Sequence, residues 1–153
     1  MSSALRIEGL WKSYTAGVRG CSARVWVLRG LSLAIERGER VAIVGARGAG
    51  KSTLAACVLG LLQPDAGMID APALLRGELA VIGPARWIEM LPGSVDQPPT
   101  MLILTSELAC VRAWVDRALL LRDGQVHPLD VRAPVRRVAE CRAEVARTGN
   151  AFR

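Results

Sequence analysis

The most distinctive chemistry in this sequence lies in a glycine-rich segment, residues 45–53. It satisfies the pattern G-x-x-x-x-G-K-[ST], with which proteins wrap a chain of phosphates. Glycines allow the backbone N–H groups to turn inward without a Cβ clash, Lys51 would reach the β- and γ-phosphates, and the Ser52 hydroxyl would complete the coordination of Mg²⁺. The pattern predicts a binding site for a purine nucleoside triphosphate, ATP with Mg²⁺, in which Lys51 stabilises phosphate and no catalytic residue is identified. Its predicted members are Gly45, Ala46, Arg47, Gly48, Ala49, Gly50, Lys51, Ser52 and Thr53.

The segments on either side of this loop have the composition that such a site needs. Val41–Val44 is a short apolar run without alternation, which is typical of a strand buried on both faces of a parallel sheet. Lys51–Leu62 has helical composition, and Pro64–Gly67 should end that helix. The N-terminus of the helix would add partial positive charge at the phosphates.

Periodicity and turn residues predict the remaining elements. Met101–Leu104 should lie beside Val41–Val44, with Arg117–Leu121 on the other side and Leu79–Ile82 covering the outer edge. The further predictions are a strand at Leu5–Leu10, a loop at Tyr14–Arg24, a strand at Val25–Ile35 broken by Gly30, a loop at Met90–Pro99, a short helix at Glu107–Val115, a hairpin through Asp123-Gly124 to Gln125–Leu129, and an amphipathic helix at Pro134–Arg147. This organisation predicts an α/β fold with a parallel core sheet and a small N-terminal antiparallel strand set.

Bulk composition narrows the class of protein. The chain has 153 residues, 51% of them hydrophobic, which suits one globular domain. The net charge is +6, and nearly all of the basic residues are arginine. They form no basic run with interleaved aromatics, so nucleic-acid binding is not expected. No apolar run is long enough to cross a membrane, and the scattered cysteines show no metal spacing. We expect a cytoplasmic chain, at most peripheral at the inner face of the cell membrane.

Several segments in order resemble the ATP-binding cassette (ABC) ATPases of transporters. The resemblance is dense over residues 4–67 and looser over 90–127, and it includes Val27–Leu33, Gly60–Gly67, Met90–Val95 and Val115–Val126. It implies a three-layer P-loop fold, a permease or a second cassette as partner, and Tyr14 as the aromatic that stacks on adenine. A lone tyrosine at a strand end independently suits base stacking, and Trp11 is the competing candidate.

The chain departs from that family in its catalytic half. The family's glutamine, helical subdomain, Leu-Ser-Gly-Gly-Gln signature, acidic strand and switch histidine are not found. If Leu79–Ile82 precedes the glutamine, Ala85 or Arg86 stands in its place; if it is the acidic strand, it ends without a carboxylate. The histidine position reads Thr105-Ser106, and His127 comes later. Compensating carboxylates could come from three residues, Glu89, Asp96 and Glu107.

The sequence therefore predicts a reduced ABC-type subunit that binds ATP-Mg and hydrolyses it weakly or not at all. Residues 1–130 would form the nucleotide-binding domain, and 131–153 a C-terminal amphipathic helix and tail. Two alternatives are a non-hydrolytic nucleotide-sensing module and a small P-loop kinase whose lid would need the arginines at 132, 136 and 137. A decayed fragment that does not fold is a third.

Overall fold

The computed structural model describes residues 3–83, 100–113 and 115–131. These residues form two sheets with short helices packed against them. In chain order the elements are β1 (Ser3–Val18), β2 (Cys21–Glu36), β3 (Arg40–Val44), α1 (Lys51–Val58), β4 (Ala66–Asp70), α2 (Pro72–Leu75), β5 (Leu79–Ile82), β6 (Thr100–Thr105), α3 (Leu108–Val111), β7 (Arg117–Arg122) and β8 (Gln125–Leu129).

The larger sheet has the strand order β5-β6-β3-β7-β8. The first four strands are parallel, and β8 returns antiparallel to β7. Its turn has positive φ at both Asp123 (52°) and Gly124 (75°), the conformation that a two-residue hairpin requires. All the residues of β6 and Val41–Val44 of β3 are buried, so the predicted central strands and their neighbours are confirmed.

The smaller sheet is antiparallel, with the order β2-β1-β4. The predicted loop at Tyr14–Arg24 is wrong, because β1 and β2 stay paired from Tyr14↔Val25 out to Val18↔Cys21. Local cross-strand hydrogen bonds satisfy this polar backbone, so the hairpin needs no apolar face there. Gly30 does not break β2 either. It lies at a register shift, with φ of 71°, and forms a bulge.

The segment after the phosphate loop also differs from its prediction. Helix α1 ends at Val58 rather than at residue 62, because Gly60 takes a positive φ of 74°. Leu61 N–H donates to Ala56 O at 2.9 Å and Gly60 N–H to Cys57 O at 3.1 Å, which is a Schellman termination. Leu61 is consequently 79% exposed. Of the residues predicted only to stop the helix, Ala66 and Gly67 begin β4.

The main core lies between the two sheets, where β1 and β2 face β3, β6 and β7 and α1 and α2 close the sides. A second cluster covers the opposite face of the larger sheet beneath α3, which is shorter than the helix predicted at Glu107–Val115. No helix in the described ranges is long and apolar enough to span a bilayer. The predicted loop at Met90–Pro99 and the predicted helix at Pro134–Arg147 both lie outside the described residues.

Candidate functional site

The glycine-rich loop connects the carboxyl end of β3 to α1 and is held between the two neighbouring strands. Gly45 N–H donates to Thr105 O, at the end of β6, at 3.1 Å. On the other side, a Cβ added to Gly45 would lie 3.2 Å from Leu121 O in β7. The loop therefore emerges at the point where three parallel strands end together, which is where open α/β sheets bind their ligands.

The three glycines are required for different reasons. Gly48 and Gly50 have φ of 84° and 105°, a region that L side chains avoid. At Gly50 an added Cβ would also lie 2.7 Å from Val27 Cγ1. Gly45 has no positive φ, so the expectation that it supplies unusual dihedrals is wrong. It is required because a Cβ there would lie 3.1 Å from Ala49 Cβ, within the loop itself.

Lys51 is buried inside the loop, with 7% of its surface exposed. Its ammonium group donates to Gly45 O at 2.5 Å and to Ala46 O at 2.8 Å. Burial lowers the pKa of this side chain from its usual value, since desolvation disfavours the charged form. The structure thus holds a cation at the centre of the loop, where a phosphate oxygen could replace a carbonyl as its partner.

The N-terminus of α1 is suited to an anion. Its N-cap is Gly50, which has no side chain to accept hydrogen bonds from the first-turn N–H groups. No acidic residue occupies the first turn. Ser52 and Arg47 are exposed beside this terminus, and Thr53 is half-buried. A glycine cradle, a buried ammonium group and an uncapped helix terminus together fit the phosphate chain of a nucleotide.

The structure brings Tyr14 to the loop and takes Trp11 away from it. The Tyr14 hydroxyl lies 3.1 Å from Thr53 Oγ1 in α1, and the residue is 42% exposed. Trp11 lies three positions earlier on the same strand, where side chains point to the opposite face. It packs edge-on against Trp26 at 5.3 Å between centroids, over Gly30. This geometry favours Tyr14 as the base-stacking residue.

Asp65 is a functional candidate that the sequence reasoning missed. Its carboxylate accepts hydrogen bonds from Ser13 N at 2.7 Å and Ser13 Oγ at 2.6 Å. The side-chain hydrogen bond from Ser13, then its backbone hydrogen bond, hold the pKa of Asp65 below the usual value. The sequence offered one usable signal, an aspartate just after the helix end, which was interpreted only as a turn residue.

Among the described residues, the strand ends beside the loop do not carry the catalytic carboxylate that the family would need. Strand β5 ends at Ile82 and is followed by Gly83, and β6 is followed by Ser106-Glu107. Glu107 is exposed, and its N–H donates to Thr105 Oγ1 at 3.1 Å. Of the three compensating carboxylates predicted, it is the one within the described ranges, and it lies just after β6. Glu89 and Asp96 lie outside those ranges. His127 belongs to β8, two strands from β3.

The described residues give little support for a metal site made only of protein side chains. Within residues 3–83, 100–113 and 115–131, no three His, Cys, Asp or Glu side chains come together as a metal cluster. Ser52, the predicted magnesium ligand, is exposed at the start of α1.

Comparison with known proteins places this geometry in a family. The model of the family described as ABC transporter matches residues 28–103. The lipoprotein-releasing system ATP-binding protein LolD of Legionella pneumophila is 46% identical over 65 residues, which are 42% of this chain and 27% of that protein. The zinc import ATP-binding protein ZnuC of Brucella abortus is 47% identical over 51 residues, 33% of this chain and 17% of that protein. These matches thus span little more than a quarter, or less, of the relatives' lengths.

Solved structures support the same fold. An ATP-binding subunit of an ABC transporter superposes with a TM-score of 0.62 at 18% identity, covering 94% of this chain and 99% of the other. An ATP-binding cassette in its ADP conformation gives 0.63 at 15% identity, with the same coverage of 94% and 99%. At these identities the likeness speaks for the fold alone. The match of the family model and the similar relatives establish that the chain belongs to the family of ABC transporter ATP-binding domains, and the solved structures agree with that fold.

Proposed function

We propose that this chain is the ATP-binding subunit of an ABC-type transport system. It binds ATP with Mg²⁺ through residues 45–53 and Tyr14, and by itself it hydrolyses ATP slowly or not at all. The observation that supports this proposal most directly is the position of Lys51, a buried ammonium group enclosed by loop carbonyls beside an uncapped helix terminus.

Each loop residue has a role that follows from its position. Lys51 exchanges its hydrogen bonds with the loop carbonyls for stronger, charge-assisted bonds to phosphate oxygens. The N–H groups of the loop and of the first turn of α1 surround the phosphates. Ser52, exposed at the start of α1, supplies one oxygen to the metal. Bound Mg²⁺ neutralises charge on the phosphates, and Tyr14 stacks on the base at the other end of the nucleotide.

Slow hydrolysis is expected from the residues that follow the neighbouring strands. A general base contributes about 10²–10⁴ in rate, and β5 and β6 are followed by Gly83 and Ser106 where a carboxylate or histidine would act. Phosphate release well below that of complete cassettes is therefore the expected behaviour of the isolated chain.

The proposed partners follow from the relatives. The matched proteins are named for lipoprotein release and zinc import, which are transport processes. An ATP-binding subunit in such a system works at the inner face of the membrane beside a permease. A second, complete cassette could contribute its own signature segment to the ATP held by this chain.

Thermal melts with and without ATP-Mg test the proposal. Ligand at a hundred times its dissociation constant should stabilise the fold by about 2.7 kcal/mol. In a domain of this size that corresponds to a rise in Tm of roughly 5–10 °C. Lys51→Ala should abolish the rise, whereas Arg76→Ala, which removes an exposed charge just after α2, should keep it. A wild-type chain whose Tm does not respond to ATP-Mg would refute nucleotide binding.

Phosphate release separates the subunit from a non-hydrolytic sensing module. Release that is slow but lost in Lys51→Ala supports a residual ATPase. Binding without any release, alone and with a complete cassette added, supports the sensing module instead.

A further inference from the structure

The proposed base-stacking residue is tied to the helix that follows the phosphate loop. Tyr14 lies in β1 and Thr53 in α1, and their hydroxyl oxygens are 3.1 Å apart. Thr53 is two residues beyond Lys51, on the helix whose N-terminus would hold the phosphates. A single hydrogen bond therefore links the two ends of the proposed nucleotide site.

A second attachment fixes the same part of β1. Asp65 N–H donates to Trp11 O at 2.9 Å, and the Asp65 carboxylate accepts both polar hydrogens of Ser13. The pairing of β1 with β2 shifts register between Lys12 and Ser13, where Val27 of β2 has no partner in β1. The contacts from the loop after α1 hold the backbone of β1 just before Tyr14.

Lys12 completes the surroundings of the tyrosine ring. Its ammonium group donates to Gln63 O at 2.8 Å and lies 5.9 Å from the centroid of the Tyr14 ring. A cation at this distance interacts favourably with an aromatic ring. The ring is thus held at its hydroxyl by Thr53 and flanked by Lys12, while 42% of the tyrosine remains exposed to receive a base.

We propose that Thr53 is a positioning residue that fixes the Tyr14 ring relative to the phosphate loop and so sets the preference for a base-bearing triphosphate over a bare polyphosphate. This inference rests on the proposed nucleotide site. The Thr53 hydroxyl acts through Tyr14, whereas the backbone N–H of Thr53 belongs to the first turn of α1, which surrounds the phosphates. Helix α1 then sets the distance between the base and the phosphates.

Binding of MgATP and of magnesium tripolyphosphate, measured by titration calorimetry, tests the proposal. Tripolyphosphate carries the phosphate chain without a base, so the ratio of the two affinities reports on the base alone. Thr53→Val keeps the branched shape and removes the hydroxyl, and Tyr14→Phe keeps the ring and removes its hydroxyl. Since a net hydrogen bond contributes modestly, each change should lower the ATP-to-tripolyphosphate affinity ratio by about 2- to 10-fold.

The double variant and two further substitutions distinguish positioning from other roles. Thr53→Val with Tyr14→Phe should lower the ratio no more than either single change, because both remove the same bond. Thr53→Ser should restore the wild-type ratio. Thr15→Val, the same chemical change one residue beyond Tyr14 on the exposed hairpin, should leave the ratio unchanged.

Three results would overturn the proposal. Thr53→Val could weaken both ligands equally, which would make Thr53 a direct phosphate contact. The effects of the two single changes could add in the double variant, or Thr53→Ser could fail to restore the ratio. By contrast, a wild-type chain that binds neither ligand would refute the nucleotide site itself, so the two failures are distinguishable. Circular dichroism melts on every variant confirm that the compared proteins are folded.

Discussion

Replacing Gly50 with alanine adds one methyl group at the point where the phosphate loop enters α1. The residue has φ of 105°, and the new Cβ would lie 2.7 Å from Val27 Cγ1 in β2. Real Cβ atoms essentially never approach another carbon so closely, so Val27 or the loop must shift. The substitution therefore perturbs both the backbone conformation and the packing of the loop against β2.

The two costs can be estimated separately. Left-handed backbone in a residue with a Cβ costs about 1–2 kcal/mol. Overpacking in a well-filled site costs about 1–3 kcal/mol. Their sum, about 2–5 kcal/mol, is a substantial part of the 5–15 kcal/mol that typically stabilises a domain. At about 2–4 °C per kcal/mol, the expected fall in Tm is roughly 4–20 °C.

Gly48→Ala is the matched control for this experiment. Gly48 also has positive φ, 84°, but an added Cβ would meet nothing within 4 Å. It should therefore cost only the backbone part, about 1–2 kcal/mol. Urea unfolding of Gly48→Ala, Gly50→Ala, Val27→Ala and the Gly50→Ala, Val27→Ala double variant measures the two contributions, because truncating Val27 should relieve the packing part and leave the backbone part.

Equal destabilisation by the two alanine substitutions would refute this reasoning, since it would mean that Val27 does not limit the space at Gly50. An additive effect of Val27→Ala on the Gly50 variant would lead to the same conclusion.

Three further changes test the structure around the loop. Gly67→Ala should destabilise the fold by about 2–5 kcal/mol in urea melts, because φ is 93° and the new Cβ would lie 2.3 Å from a carbonyl oxygen of β1. Side-chain hydrogen bonds, from Ser13 to Asp65 and from Arg40 to Asp116, are the chief cause that lowers the pKa values of these two carboxylates. Their stabilisation is therefore present above the unfolded value of 3.8 and is lost as the pH falls through the folded values. Unfolding free energies between pH 2.5 and 6 should thus decline below 3.8, and less so in Asp116→Asn. Burial raises the pKa of the Cys57 thiol, so mass-mapped alkylation at pH 8 should modify it slowly in the folded chain and rapidly in urea.

The central sheet could be predicted from the sequence because its strands carry strong local patterns. Val41–Val44, Leu79–Ile82 and Met101–Leu104 are short apolar runs bounded by turn residues, and Asp123-Gly124 marks its own hairpin. The order predicted for them places Leu79–Ile82 at the outer edge of Met101–Leu104, and the observed order agrees.

The N-terminal sheet was predicted less well, since its pairing depends on backbone hydrogen bonds more than on side chains. The outer part of the β1–β2 hairpin is exposed and polar, so periodicity gave no sign of a strand there. Strand β4 was missed because Gly67, a turn residue by type, is required by close approach: an added Cβ would lie 2.3 Å from Gly9 O.

In the candidate site, too, the features with a local sequence pattern could be predicted and those made by distant residues could not. The pattern of residues 45–53 is local, so the loop could be predicted, and its role in binding stays a prediction. The resemblance suggested Tyr14, and the fold brings it to Thr53. The attachments through Asp65 join residues more than fifty positions apart, and no local pattern records such a contact.

The central position of β3 has a consequence for synthesis of the chain. Both of its partners come much later in the sequence, since Arg40 pairs with Met101 and Val41 with Arg117. The β1–β2 hairpin can form as soon as residue 36 leaves the ribosome, whereas β3 waits with both edges open until β6 and β7 emerge. During that interval the nascent chain has no supported nucleotide loop. ATP can therefore favour folding only after β6 and β7 have been synthesised.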